Sequence, residues 1–238
     1  MNNLPIGDIL LWFVVFLFSL SFHESAHAWT SERFGDDTGR LQGRITLNPI
    51  PHIDPIGTLL LPIMGFLSGG LAMFGWAKPV QTNPLLWRNK TKANIMVSAA
   101  GPISNFILAT IAFIILKVML VSGIATRPTF MHGGPFSIVV PAPGQPDFMM
   151  PITTLVSILL ILNITLGVFN LIPIPPLDGS HIFEELLPPD AARAYEQIRP
   201  YSFILLVAVL WIKVGGQSLA GWIIQPFFKL AIFLLYGS

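Results

Sequence analysis

Residues 9–29 read ILLWFVVFLFSLSFHESAHAW, and this stretch decides the fold. A membrane span needs about 20 mostly apolar residues, and Ile9 to Trp29 supplies them. Asp8 stands where a secretory signal would carry basic residues, and the apolar run leads straight into His23-Glu24 rather than a small-residue cleavage site. It therefore reads as a retained first transmembrane helix. His23 and His27 are four apart, so on a helix their imidazoles stack on one face about 6 Å apart. Two nitrogens so placed can share one tetrahedral zinc ion. Glu24 sits beside the first histidine, where its carboxylate can reach water at the metal without ligating the metal itself. Charged groups inside an apolar helix cost a few kcal/mol each on insertion scales, which points to a function for them. Two histidines merely snorkelling to an interface would explain neither their spacing nor the glutamate.

Composition sets the frame around that helix. The 238 residues are 53% hydrophobic and only 11% charged, with a mean hydropathy of +0.70. A soluble domain carries about 25% charged residues to cover its surface, so the lipid bilayer must cover much of this one. A net charge of +1 excludes nucleic acid as a partner bound through a basic footprint. The chain has no cysteine, which removes disulfides, thiolate ligands and cysteine nucleophiles. Any metal must sit on His, Asp or Glu.

Three more spans are expected at Ala93 to Val121, Ile152 to Ile174 and Leu219 to Tyr236, with a short fifth at Tyr201 to Val214. Pro62, Gly65, Gly69 and Gly70 interrupt the apolar stretch from Leu59 to Phe74. Basic residues flank it on both sides (Arg40 and Arg44 before, Lys78 and Arg88 after), which predicts a segment that dips into the membrane and returns to the same side. The N-terminus is then outside, the loop from Ser122 to Pro151 with His132 is outside, and the last two helices run out and back to leave the C-terminus inside. The expected fold class is an all-α polytopic membrane protein of about five to six transmembrane segments. It would include a re-entrant segment and a short membrane-associated β-hairpin, drawn from the partly alternating Arg40-Leu-Gln-Gly-Arg-Ile-Thr-Leu47. One domain, residues 1–238, is expected, with a catalytic core over about 9–185 and a C-terminal helical pair over about 200–236. Ser98, Ala99, Ala100 and Gly101 form a small-residue patch suited to close helix packing.

A catalytic zinc usually has three protein ligands and an open position, so a third must come from elsewhere. Asp178 is the best candidate, in Asn170-Leu-Ile-Pro-Ile-Pro-Pro-Leu-Asp-Gly179. The prolines deny that segment helical hydrogen bonds and Gly179 allows a sharp turn. Both His23 and Asp178 fall near the inner ends of inward-running helices. The rivals are His52, Asp54, His181, Glu184 and Glu185. His52 and Asp54 lie in a proline-rich turn where backbone hydrogen bonding is the plainer use, with contact to a ligating histidine as an alternative for Asp54. Glu184 and Glu185 are expected to face the cytoplasm beside Arg193.

The chain resembles the site-2 protease family of intramembrane metalloproteases. The resemblance rests on His23-Glu-Ser-Ala-His27, on Asn170-x-x-Pro173-x-x-x-x-Asp178-Gly179, on Gly75-Trp-Ala-Lys-Pro-Val80 and on Ala100-Gly-Pro-Ile-Ser-Asn105. It implies zinc on His23, His27 and Asp178, Glu24 as general base, and Asn170 positioning the substrate backbone or stabilising the oxyanion. It implies a transmembrane protein as substrate, cut inside the bilayer of the cell membrane with the active site toward the cytoplasm. It also favours an extended substrate pairing with the 40–47 segment, where the residues alone fit an ordinary hairpin equally well. No stretch reads as the PDZ or CBS modules of larger members, and the sequence specifies no oligomeric state. Two other classes compete: an ion transporter, which would spread polar residues over several helices, and a non-catalytic metal sensor, which would tolerate Glu24→Gln.

Overall fold

A computed structural model of the chain describes residues 6–67, 75–128 and 136–237. Helix α1 (Ile6–Arg33) spans 28 residues and buries Trp12, Val15, Phe16 and Leu20 on one face. Ile6, Leu10, Val14 and Phe18 recur every fourth position on the other face and stand exposed. An exposed stripe that apolar belongs against lipid. After the short α2 (Thr38–Leu41), the chain passes a 3₁₀ turn and a π-type turn over Pro55–Leu60 into α3 (Leu61–Leu67). Helix α4 (Lys90–Val121) starts where Asn89 accepts a hydrogen bond from the Lys92 amide, a side-chain cap for an otherwise unpaired N–H. Helix α5 (Met149–Asn170) follows, then α6 (Asp178–Leu186), α7 (Pro189–Glu196), α8 (Ser202–Trp211) and α9 (Leu219–Tyr236).

Among the described residues, α1, α4, α5 and α9 are long and apolar enough to cross a membrane. This is a multi-pass membrane protein. Helix α5 is the hub, the most buried of the four. One side packs with α4 and α9 in a cluster that includes Leu116, Leu160, Ile164 and Leu235. Its other side meets α1, where Ile158 and Leu162 pack with Trp12 and Phe16.

The stretch expected as a short fifth span holds α8, ten residues long; at 1.5 Å per residue it covers about 15 Å. Two other expectations are corrected. The 40–47 stretch forms no strand: its start lies in α2, and Gly43, at φ 66°, turns the chain in the left-handed region. Short antiparallel pairs occur elsewhere, between β1 (Ala125–Thr126) and β2 (Val140–Pro141) and between β3 (Lys213–Val214) and β4 (Gln217–Ser218). The second pair closes over Gly215 and Gly216, both at positive φ, as a two-residue hairpin turn of the primed type requires. Second, the end of α9 lies beside the loop assigned to the outside, not opposite to it. The Tyr236 hydroxyl donates to the Ile138 carbonyl, and Arg127 stacks over the Tyr236 ring at 4.4 Å.

Of the 59–74 segment, residues 68–74 lie outside the described residues, as does His132. The chain around the gap is nevertheless closed on itself. Trp76 N–H donates to the Gly57 carbonyl at 3.2 Å, and the Thr58 hydroxyl donates to the Trp76 carbonyl at 2.8 Å.

Candidate metal centre

The C-terminal half of α1 brings His23 and His27 to one face, one turn apart, and both are buried. Their Nε2 atoms lie 3.0 Å from each other. Asp178, the first residue of α6, completes a triangle: Oδ2 lies 3.2 Å from His23 Nε2 and Oδ1 lies 3.4 Å from His27 Nε2. Four bonds of 2.0–2.1 Å in a tetrahedron place ligand atoms about 3.3 Å apart, so these separations suit one zinc-sized ion. Among the described residues, this is the one group of three His, Asp or Glu that could hold a metal.

The polar contacts favour a cation at the centre. His27 Nδ1 lies 2.6 Å from the Val97 carbonyl oxygen. A carbonyl only accepts, so Nδ1 carries a proton, and in the neutral ring Nε2 turns a lone pair toward Asp178. Asp178 Oδ2 is buried without a hydrogen-bond partner, an unfavourable state for a carboxylate oxygen unless a cation meets it. The fourth wall is α4. A Cβ built on Gly101 would stand 2.4 Å from His27 Nε2 and 2.5 Å from His23 Nε2. The small-residue patch therefore serves close packing, and specifically lets α4 approach the two imidazoles.

Glu24, one residue along from His23, is half-buried, and its Oε2 accepts a hydrogen bond from Val80 N–H at 2.9 Å. The run 75–80 that supplies this amide, which is neither helix nor strand, is itself anchored. Lys78 N–H donates to the His52 carbonyl at 2.8 Å, and the buried Arg44 guanidinium donates to the carbonyls of Pro51, Lys78 and Pro79.

The other residues singled out from the sequence make these hydrogen bonds and ion pairs. Asn170 ends α5, and its Nδ2 donates to the Leu166 carbonyl of its own helix at 2.9 Å. His52 Nε2 lies 3.0 Å from the Thr46 carbonyl. Asp54 caps the π-type turn by accepting from the Ile56 and Gly57 amides. Glu184 pairs with Arg199 at 3.0 Å and not with Arg193, which pairs with Asp190. Glu185 accepts from Asn94 Nδ2. Sequence reasoning passed over Asn163, a fully buried amide in the middle of α5; a buried amide in an apolar span was the signal that could have found it.

Comparison with known proteins identifies the family. Peptidase family M50 matches residues 11–212. YwhC of Bacillus subtilis, named as a zinc metalloprotease, is 36% identical over 206 residues, covering 87% of this chain and 82% of that protein. Rip2 of Mycobacterium tuberculosis, named likewise, is 32% identical over 216 residues, covering 91% of this chain and 71% of its own length. Rip2 of Mycolicibacterium smegmatis is 30% identical over 205 residues, covering 86% and 68%. No solved structure matches the chain. With an HExxH pair and an aspartate meeting at ion-binding distance inside a polytopic helical fold, the chain belongs to peptidase family M50, the site-2 protease family, and is a metalloprotease.

Proposed function

We propose that this protein is an intramembrane zinc endopeptidase that cuts a peptide bond within or near the transmembrane segment of another membrane protein. The convergence of His23, His27 and Asp178 at the inner end of α1 carries this reading. Zinc held by these three side chains would supply a Lewis acid that acidifies water and polarises the scissile carbonyl.

Glu24 acts as the general base, one residue from a ligand and oriented by the Val80 amide. It takes a proton from water as the new C–O bond forms at the scissile carbon, then delivers it to the amine nitrogen as the C–N bond breaks. Asn170 orients the substrate backbone or donates to the developing oxyanion, using the N–H that its bond to Leu166 does not occupy. A helical substrate must unwind before its carbonyl is accessible. Since 40–47 forms no strand, the run 75–80 beside Glu24, which is neither helix nor strand, is the better place for an extended substrate to lie.

The reading extends to topology. The hydrogen bonds that join residues 57–58 to Trp76 support a re-entrant segment, entering and leaving at one level. Basic residues on both sides of the 59–74 segment, among them Arg40, Lys78, Arg88 and Lys92, favour a cytoplasmic opening in the cell membrane. The whole chain acts as one domain.

The test is zinc-dependent cleavage of a model transmembrane substrate by purified wild type and Glu24→Gln, with bound metal quantified in both. Loss of about 10²–10⁴-fold in rate with metal retained is the expected result. Equal cleavage by both, or a folded wild type that takes up no metal, overturns the reading.

A further inference from the structure

His23 differs from His27 in what holds the far side of its ring. Its Nδ1 meets no backbone carbonyl; it lies 2.7 Å from Asn105 Oδ1 on α4. Asn105 Nδ2 in turn donates to Asn163 Oδ1 on α5 at 2.8 Å. Asn163 Nδ2 then donates to Ser19 Oγ and to the Leu159 carbonyl, both at 2.9 Å. Asn105, Asn163 and Ser19 are each 0% exposed.

The directions along this chain are forced from its far end. The Leu159 carbonyl can only accept, so the Asn163 amide must turn its NH₂ that way and its oxygen toward Asn105. Asn105 must then answer with its own NH₂, which leaves its oxygen facing His23. An oxygen there requires a proton on His23 Nδ1, and the neutral ring then directs its Nε2 lone pair at Asp178 and His27 Nε2. A flipped Asn105 would reverse this, presenting N–H to Nδ1 and leaving the proton on the nitrogen that must ligate.

We propose that Asn105 and Asn163 are positioning residues that fix His23 as a ligand through Nε2, with Asn163 locking the amide orientation of Asn105. The proposal rests on the metal-site reading above. It assigns a role to Asn105 in the Ala100–Asn105 motif, and it ties α1, α4 and α5 together at the site. A partner on the far nitrogen of a ligating histidine fixes its tautomer, and losing one typically costs about 10- to 100-fold in metal affinity.

The test measures metal binding rather than cleavage, so it stands apart from whether the protein is a protease. In wild type loaded with ¹¹³Cd and labelled with ¹⁵N-histidine, the metal should couple to Nε2 of both His23 and His27, with Nδ1 protonated in each. Zinc affinity by chelator competition should fall about 10- to 100-fold in Asn105→Leu and recover in Asn105→Asp, whose carboxyl, protonated toward Asn163 Oδ1, donates there and still offers Nδ1 an acceptor. Asn163→Leu, which touches no ligand, should lower affinity by less, and Asn163→Asp, whose carboxyl, protonated toward Leu159, donates there and still accepts from Asn105, should retain it. Coupling of the metal to His23 Nδ1, or wild-type zinc affinity in folded Asn105→Leu, overturns the proposal. Should Asn105→Leu not fold, the wild-type coupling pattern and the two Asn163 variants decide. Tight zinc binding with the expected coupling but no cleavage by wild type would sink the protease reading and leave this one standing.

Discussion

A Cβ on Gly101 would lie 2.4 Å from Nε2 of His27, closer than carbon and nitrogen can approach without displacing one another. Helix α4 thus forms a wall of the metal centre through its backbone. Gly101→Ala should push the imidazoles by about 1 Å, beyond the roughly 0.5 Å that a functional constellation tolerates. Zinc affinity is expected to fall by about tenfold or more, as measured by chelator competition in detergent. Gly7→Ala is the control, because a Cβ at Gly7 meets nothing within 4 Å. Equal zinc affinity in both variants would show that the wall yields.

Arg44 should matter to Glu24 without touching a metal ligand. It is buried, and its guanidinium holds three carbonyls across two loops, including those of Lys78 and Pro79 just before the amide that grips Glu24. Arg44→Lys cannot reproduce a planar fork with a point charge. A stability loss on the order of 3 kcal/mol is expected for Arg44→Ala, with a smaller loss for Arg44→Lys. In both, cleavage should fall more than zinc content. A variant that loses zinc in proportion to activity would place the effect on the ligands instead.

The parts of this protein legible from sequence were those with a local signature. Four spans follow from apolar length, and the His23–His27 pair follows from helical spacing and lies as read. Asp178 came from a proline-broken, polar-ended segment, and its carboxylate meets both imidazoles. Failures came where tertiary context decides. Alternation over 40–47 looked like a strand, but Gly43 and the Arg44 side chain build turns there. The apolar stretch 201–214 holds a ten-residue helix that gives way to a hairpin closed by a glycine pair. The relay from Ser19 through Asn163 and Asn105 to His23 joins residues up to 144 apart, and no spacing rule reports such a contact.

Asp36 provides a pH test outside the spans. It is buried, which opposes its charge, but hydrogen bonds from Thr38, the Asn83 amide and Ser31 prevail and hold its carboxyl below the usual carboxylate range. Because the folded pKa lies below the unfolded value of 3.8, the resulting stabilisation is complete above that value and fades as pH falls through the folded pKa. Asp36→Asn should therefore melt earlier than wild type at pH 7, by about 1–3 kcal/mol. The gap should narrow below about pH 4. A gap independent of pH would assign the loss to packing rather than to the charge.

The last prediction concerns which side the C-terminus occupies. Tyr236 donates to the Ile138 carbonyl and lies under Arg127, and Lys117 Nζ donates to the Leu235 carbonyl at 2.7 Å. These contacts tie the end of α9 to the end of α4 and the loop beyond it, while Lys90 begins α4 at the opposite end. A ten-residue α8 cannot restore the parity that a full fifth span would give. The chain has no cysteine, so single substitutions report cleanly. Asp147→Cys and Gly237→Cys should react with a membrane-impermeant thiol reagent from one side of sealed vesicles, and Lys90→Cys from the other. Labelling of Gly237→Cys from the Lys90 side would mean that α9 does not run through the bilayer beside α4 and α5.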